Sequence, residues 1–157
     1  GEDVLAVADG VVVAARDDMT ESASVAAHPR HALADGTGNY VALDIGGGRY
    51  AFYEHLKPGS LKVKVGQRVQ RGEVVGALGF TGDSSGPHLH FHLADANSPL
   101  DADGMPYVLA GFTALGSYPS LDALGKQPWQ PLSMSEQARR QRERPAPNTV
   151  VQFRDPR

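Results

Sequence analysis

Residues 63–92 read VKVGQRVQRGEVVGALGFTGDSSGPHLHFH, and this stretch carries the strongest structural signal in the chain. Two valine-containing runs, 63–69 and 72–76, are short, are interrupted by glycine and are typical of β-strands. A loop rich in Gly, Ser and Asp, 81–87, then leads into a run in which histidine alternates with apolar residues. Because successive side chains of a strand point to opposite faces, this run predicts a strand with one polar and one apolar face.

The polar face of the predicted strand is a candidate site. It presents His88, His90 and His92, while the apolar residues between them can anchor a core. Two imidazoles two residues apart suit a zinc site, because one ring can bind the metal while its neighbour stands close enough for proton transfer. The alternative is a polar strand face that carries histidine without a chemical role. An alternating triplet directly after a Gly-Pro turn favours the site.

The residues upstream of this stretch predict further antiparallel strands. Two hairpins are indicated, one around Asp9-Gly10 and one around the glycines 46–48, because apolar and β-branched residues flank each turn. A long polar segment, 17–38, lies between the hairpins and predicts a surface loop. We therefore expect an antiparallel β domain over residues 4–93, with a groove floored by the sheet and walled by loops 17–38 and 81–87.

Composition agrees with a β-rich globular chain and excludes several classes of function. The 157 residues include 18 glycines and 11 prolines, which favours frequent turns over a helical bundle. A formal net charge of −3 gives no indication of nucleic-acid binding, and the sequence predicts no particular oligomeric state. No apolar run approaches the roughly 20 residues needed to span a membrane. The absence of cysteine leaves His, Asp and Glu as the strong zinc ligands.

The last third of the chain changes character and predicts an extension. Residues 107–115 have enough apolar content for one more strand packed on the sheet. We therefore place the β domain at 1–115 and a C-terminal extension at 116–157. Glycine, proline and isolated apolar residues follow each other there without a clear period, and a closing edge strand is expected over 148–153.

One short helix is expected in the extension. Ser133 and Glu136 have the spacing of a capping box, and good helix formers follow until Pro145. The segment is basic and poor in apolar residues, so a solvated helix near 134–144 is predicted.

Four stretches resemble, in their order and spacing, the lysostaphin/LytM-type zinc metallopeptidases: VLAVADGVVV, GNYVALDIGGG, FYEHL and the stretch 63–92. The resemblance implies a mainly β domain with a substrate groove and zinc as cofactor. It implies an endopeptidase that hydrolyses peptide bonds in bacterial cell-wall peptidoglycan. It also implies a location outside the cytoplasm, in the periplasm or secreted.

The same resemblance implies roles for individual residues. The second histidine of the HxH strand binds zinc in such enzymes, which assigns metal binding to His90. The first histidine of that pair takes part in proton transfer, which assigns His88. The histidine of the Tyr-x-His-Leu block is its catalytic partner, which assigns His55. A neutral imidazole can accept the proton of a metal-activated water, and a second one can donate a hydrogen bond to the developing oxyanion.

Two features depart from the family pattern. His92 stands where relatives place glutamate, about 6.5–7 Å along the strand from His90, so it favours a supporting or structural role over direct ligation. Relatives also carry an HxxxD motif, which supplies the remaining metal ligands, shortly before the first strand. Only Gly1, Glu2 and Asp3 precede that strand here. A catalytic zinc typically needs three protein ligands, so this chain alone is expected to bind zinc weakly or not at all.

Alternatives to a complete site in this chain remain open. The ligands come from an upstream part of the protein, from elsewhere in the chain, or the domain is a non-catalytic LytM-like module that binds peptidoglycan or a partner enzyme. His31 and Asp35 have HxxxD spacing but follow the first hairpin, so they are a weak ligand pair, and His28 adds little. Residues 63–78 also resemble hairpins of biotinyl or lipoyl carriers, but the modified-lysine tripeptides of those carriers are absent.

Overall fold

A computed structural model describes residues 1–153, which form antiparallel β-structure in two compact units. The first unit is Gly1–Met105, and the second begins at Pro106. The expected fold class, a mainly β chain with antiparallel sheets, is confirmed. Helical structure in the described range is limited to short 3-10 turns at Val25–Ala27, Leu33–Asp35 and Leu121–Ala123.

The first unit contains these strands in chain order: β1 (Asp3–Leu5), β2 (Gly10–Arg16), β3 (Asn39–Asp44), β4 (Tyr50–Leu56), β5 (Arg68–Val69), β6 (Val74–Ala77), β7 (His90–Ala94) and β8 (Gly104–Met105). Six of them form one antiparallel sheet in the order β5-β2-β3-β4-β7-β8. The other two, β1 and β6, pair with each other as a separate antiparallel ribbon.

The main core lies between the ribbon and one face of the large sheet. Val4 of β1 and Val75 of β6 are buried in the same cluster as Val41, Leu43 and Tyr53 of the central strands. The side chains at alternate positions of β3 and β4 share this face, as the period of two requires. The hydroxyl oxygen of Tyr53 accepts a hydrogen bond from Val7 N at 2.8 Å, so its buried polar atom is satisfied.

The opposite face of the sheet has two parts, a smaller apolar cluster and, next to it, a polar region. Ala42, Phe52 and Ala94 are buried there. Further along β4 and β7 the same face presents charged and imidazole side chains instead of apolar ones. This change in character positions the candidate site on a face whose backbone is held from beneath by the main core.

The second unit is organised around one strand. Strand β9 (Phe112–Ser117) pairs antiparallel with β10 (Gln130–Pro131), β11 (Arg139–Arg140) and β12 (Thr149–Gln152). The strand predicted over 107–115 therefore corresponds to β9 and joins this sheet, not the first one. The first compact unit ends at Met105, and the domain boundary at residue 115 stays a prediction from the sequence. The apolar content of a segment predicts that it forms a buried strand, but it does not predict which sheet the strand joins.

The predicted helix near 134–144 is wrong. One capping-box contact is present, since Ser133 N donates to Glu136 Oε2 at 3.1 Å, but the chain makes only a turn there. Arg139 and Arg140 then pair with β9. A local cap contributes about 1 kcal/mol and cannot sustain a short helix that lacks an apolar stripe to bury. The edge of β9 offers backbone hydrogen bonds to the same residues. These residues therefore pair with β9 and do not form a helix.

Candidate metal and catalytic site

The candidate site is built on the pairing of β4 with β7. Tyr53 lies opposite Phe91, Glu54 opposite His90 and Phe52 opposite His92. Tyr53 and Phe91 belong to the main core, so the two flanking pairs project from the other face. The histidines thus lie on the polar face of the sheet, as predicted. Glu54 of β4 lies on the same face because it pairs with His90 of β7.

An irregular backbone conformation brings His55 to the same face. His55 has φ of 60°, which is the left-handed region and is uncommon for a residue with a side chain. Its backbone N–H donates to Thr37 O instead of continuing the ladder with β3. The alternation of side chains is broken at this point, so that the sequence neighbours Glu54 and His55 both approach the ring of His90.

Hydrogen bonding fixes the tautomer of His55. Its Nδ1 lies 2.8 Å from Thr81 O, and because a carbonyl oxygen only accepts, Nδ1 carries the proton. The lone pair of Nε2 is then available for a metal or a proton. The ring centroids of His55 and His88 are 4.6 Å apart, and those of His55 and His90 are 5.9 Å apart. The predicted clustering of these three histidines is present in the structure.

His88 precedes β7 and is held by the loop before it. Its Nδ1 lies 2.9 Å from Gly86 O, to which it donates, and 3.2 Å from Ser84 Oγ. The backbone N–H of His88 donates to Gly79 O. Nε2 is therefore the ring nitrogen left to face the site, as in His55. The two rings stand side by side, each with its Nδ1 held by a backbone carbonyl.

Loop 81–87 is itself hydrogen-bonded to β3, to β4 and to loop 17–38. Thr81 Oγ1 accepts a hydrogen bond from Asn39 N and donates one to Leu56 O, both at 2.9 Å. His28 Nε2 donates to Gly82 O at 2.7 Å, and Asp83 N donates to Gly36 O. The two loops predicted to wall the groove thus contact each other and hold the carbonyl that orients His55.

Glu54 is the feature of the site that the sequence did not assign. Its side chain is 5% exposed, its Oε2 lies 4.0 Å from His90 Nδ1, and its Oε1 lies 3.8 Å from His92 Nδ1. Across residues 1–153, neither Oε1 nor His92 Nδ1 has a hydrogen-bond partner. The ring of His92 stacks on Phe52 with a centroid distance of 4.9 Å. Glu54 is placed in the site by the pairing of β4 with β7, which sets it opposite His90. A single sequence does not show which residues of two strands lie opposite each other.

Burial sets the protonation of these groups. It raises the pKa of Glu54 from its ordinary 4.5 to about 7. It is also the first cause of lowered pKa values at His55, His90 and His92, and neighbouring imidazoles add to the effect. Desolvation disfavours the charged form of both acids and bases. The imidazoles are thereby kept neutral near pH 7, the form in which they bind metals and accept protons.

The side chains present fit a divalent metal. One donor atom from each of Glu54, His55 and His90 lies within 4.8 Å of the others. Imidazole nitrogen and carboxylate oxygen are common zinc ligands, and Glu54 Oε1 is a buried acceptor that needs a partner. The alternative pair, His31 and Asp35, is not part of this donor group: Asp35 binds Arg16 at 2.9 Å, and the His31 ring packs against His28 while its Nε2 lacks a hydrogen-bond partner among the described residues.

Known proteins resemble the first unit in both sequence and fold. The chain belongs to Peptidase family M23, whose profile matches residues 1–102. The predicted family resemblance is therefore confirmed. Residues in this region are 36% identical over 102 positions to peptidoglycan DD-endopeptidase ShyA of Vibrio cholerae, covering 65% of this chain and 20% of ShyA. The chain thus spans about a fifth of the length of that relative.

Two further proteins extend the comparison. Glycyl-glycine endopeptidase ALE-1 of Staphylococcus capitis is 44% identical over 57 residues, which is 36% of this chain and 15% of that protein. The solved catalytic domain of a mutant of the prophage-encoded M23 protein EnpA from Enterococcus faecalis has a TM-score of 0.50 at 23% identity. The match covers 67% of this chain and 66% of that chain and supports the fold.

The helical segments are also short in absolute terms. Within residues 1–153, no helix has the length and apolar content that a membrane crossing requires.

Proposed function

We propose that the protein is a zinc-dependent endopeptidase that cleaves peptide bonds of bacterial peptidoglycan outside the cytoplasm, and that residues 1–105 form its catalytic domain. The observation that carries the proposal is the pair of adjacent imidazoles, His55 and His88, beside the candidate ligand His90. Membership of Peptidase family M23 supports it. ShyA and ALE-1, which are named as endopeptidases, add support from sequence.

Each histidine has a role that its hydrogen bonds make possible. His90 would hold the zinc ion, which when bound polarises the scissile carbonyl and lowers the pKa of a coordinated water toward about 7. Nε2 of His88 or His55 accepts the proton of the attacking water, since in each ring Nδ1–H is engaged by a backbone carbonyl. The ring that has accepted this proton then carries it on Nε2, from which it would donate a hydrogen bond to the oxyanion and pass the same proton to the leaving amine.

The orientation of these rings comes from loop 81–87 and not from the strands alone. Thr81 O and Gly86 O, the two acceptors that fix the tautomers, both belong to that loop. A catalytic imidazole must present one defined nitrogen to its substrate, and a carbonyl partner achieves this without adding charge. The loop therefore has a direct mechanistic role in the proposed enzyme.

The test uses the full-length natural protein and isolated peptidoglycan. Soluble fragments are separated by chromatography and identified by mass, with D-Ala-linked cross-links and pentaglycine bridges offered side by side. We expect cleavage that is abolished by a chelator and restored by Zn²⁺. His88→Ala and His55→Ala should each lower the rate by at least about 100-fold, as loss of a general acid–base does.

His31→Ala is the matched control, because this histidine lies outside the donor group. It should leave the rate within about threefold of the parent. Zinc-loaded protein that binds peptidoglycan without releasing fragments would contradict the proposal and favour the non-catalytic module. The same conclusion would follow if His88→Ala cleaved as fast as the parent protein.

A further inference from the structure

We propose that Glu54 is a metal ligand, and that its carboxylate forms a divalent-cation site together with the imidazoles of His90 and His55. The site lies entirely within the paired strands β4 and β7. The proposal rests on the metal role proposed for His90 and extends it, because the sequence pattern assigned metal binding in this chain to His90 alone. The expected cation is Zn²⁺, since one carboxylate and two imidazoles form a ligand set that zinc accepts in proteins.

The geometry allows the three donors to converge. Their donor atoms already lie within 4.8 Å of one another, and Glu54 Oε2 is 4.0 Å from His90 Nδ1. Donors about 2.0–2.1 Å from a tetrahedral zinc ion are roughly 3.3 Å apart. The donors must therefore approach one another by up to about 1.5 Å for all three to bind one ion. The cross-strand pairing of Glu54 with His90 fixes both Cα positions in advance.

The burial of Glu54 demands a positive partner. The carboxylate is 5% exposed, and within the described range the ion-pair partners within 4.0 Å are the rings of His90 and His92. Oε1 receives no hydrogen bond. A buried carboxylate without a cation or donor is costly, so proteins rarely keep one without a use. A divalent cation between Glu54 and His90 supplies the missing charge.

The same site gives His92 a function. Its Nδ1 is buried and lacks a hydrogen-bond partner among residues 1–153, and it faces Glu54 Oε1 at 3.8 Å. When Oε2 binds the metal, a small closure allows Nδ1–H of His92 to donate to Oε1. Ligating carboxylates are typically held by such an outer hydrogen bond. Stacking on Phe52 keeps the His92 ring in place for this contact.

Occupation by all three ligands has a consequence for catalysis. The free donor of His55 is Nε2, because Nδ1–H is bonded to Thr81 O. An ion held by Glu54, His55 and His90 uses that Nε2, which then cannot accept a proton. The 157-residue chain is therefore expected to bind Zn²⁺ while lacking the His55 base, and proton transfer by His55 requires another ligand in its place.

The experiment measures metal binding by the 157-residue chain, not activity. Zn²⁺ affinity is obtained by competition with a chromophoric chelator, and the visible spectrum of the Co²⁺-substituted protein reports the ligand geometry. We expect one ion per chain and an intense tetrahedral Co²⁺ band. Glu54→Gln should weaken Zn²⁺ binding by about 100-fold or more and alter the Co²⁺ band. Glu143→Gln, an exposed carboxylate of the second unit, is the control and should change neither.

Folding of the variant is checked separately by thermal unfolding in chelator. Glu54→Gln should unfold at or above the temperature of the parent chain there, because it removes an unpaired buried acid, and should lose the upward shift that Zn²⁺ causes in the parent. Failure of the parent to bind Zn²⁺ at micromolar concentration would overturn the proposal. So would a Glu54→Gln chain that binds Zn²⁺ within about threefold of the parent with an unchanged Co²⁺ band. Failure of peptidoglycan cleavage would overturn the proposed function and leave this site intact.

Discussion

Glu54 is a buried carboxylate whose ion-pair partners, among the described residues, are the imidazoles of His90 and His92. The groups that face it are His90 and His92 on β7 and the adjacent His55 on β4. All three rings have lowered pKa values, so near neutral pH none of them supplies a full positive charge. In the metal-free protein the carboxyl group is therefore held mainly in its protonated form up to about pH 7.

The pH dependence of stability follows from this shift. Between the ordinary pKa of 4.5 and about 7, the folded chain keeps a proton on Glu54 that the unfolded chain has released. Glu54 alone should lower the free energy of unfolding by about 2.5 kcal/mol as pH rises from 5 to 8, whereas His55, His90 and His92, whose pKa values are lowered, act in the opposite direction. Urea unfolding in chelator at both pH values isolates the Glu54 contribution as the difference in pH dependence between the parent chain and Glu54→Gln.

Glu143→Gln is again the control, and it should show the same pH dependence as the parent chain. If Glu54→Gln also changed in stability between pH 5 and pH 8 as the parent chain does, in the absence of metal, Glu54 would be solvated or paired in solution.

Two glycines allow the walls of the groove to meet. Gly38 and Gly82 both have positive φ, 65° and 75°. A Cβ on Gly82 would come within 2.4 Å of Gly38 N, and a Cβ on Gly38 within 2.5 Å of Thr81. Real Cβ atoms do not approach backbone so closely. The contact between loops 17–38 and 81–87, and with it the carbonyl of Thr81 that orients His55, depends on both residues lacking side chains.

Gly82→Ala should therefore be far more harmful than an ordinary glycine substitution. The added methyl group meets backbone atoms that cannot rotate away, and we expect a loss of about 4 kcal/mol or more in the free energy of unfolding. Gly48→Ala is the matched control, since Gly48 also has positive φ, 69°, but open space around its Cβ. It should cost about 1–2 kcal/mol. Equal losses for the two variants, measured by urea unfolding, would show that the loops do not pack as described.

The elements show where sequence reasoning succeeds and where it stops. The shared face of His88, His90 and His92 followed from the alternation of one strand. Their distance from His55 required two features that a single sequence does not display: the register of β4 against β7 and the left-handed conformation at His55. The helix near 134–144 failed for a related reason, because the partner that displaced it, β9, lies some 20 residues away.

At the scale of the whole chain, the two units have separate sheets. No strand of the described residues is shared between them, and the candidate site draws only on the first unit. A chain of residues 1–105 should therefore unfold cooperatively and bind Zn²⁺ within about threefold of the 157-residue chain, because all the proposed ligands belong to the first unit. Circular dichroism and the chelator competition test this. If the truncated chain is unfolded, or has lost Zn²⁺ affinity, the second unit is required for folding or metal binding of the first.

The pairing of Glu54 with His90 also determines when a metal can act during folding. Strands β5 and β6 and loop 81–87 all lie between these two residues in the sequence, so their contact closes late and only after most of the sheet has formed. An ion that needs both residues as ligands binds the unfolded chain only weakly. Zinc should therefore slow unfolding in stopped-flow experiments and leave the refolding rate almost unchanged. The ion would slow unfolding of the folded domain. Loss of the metal would therefore increase cleavage by proteases without changing the rate at which the protein folds.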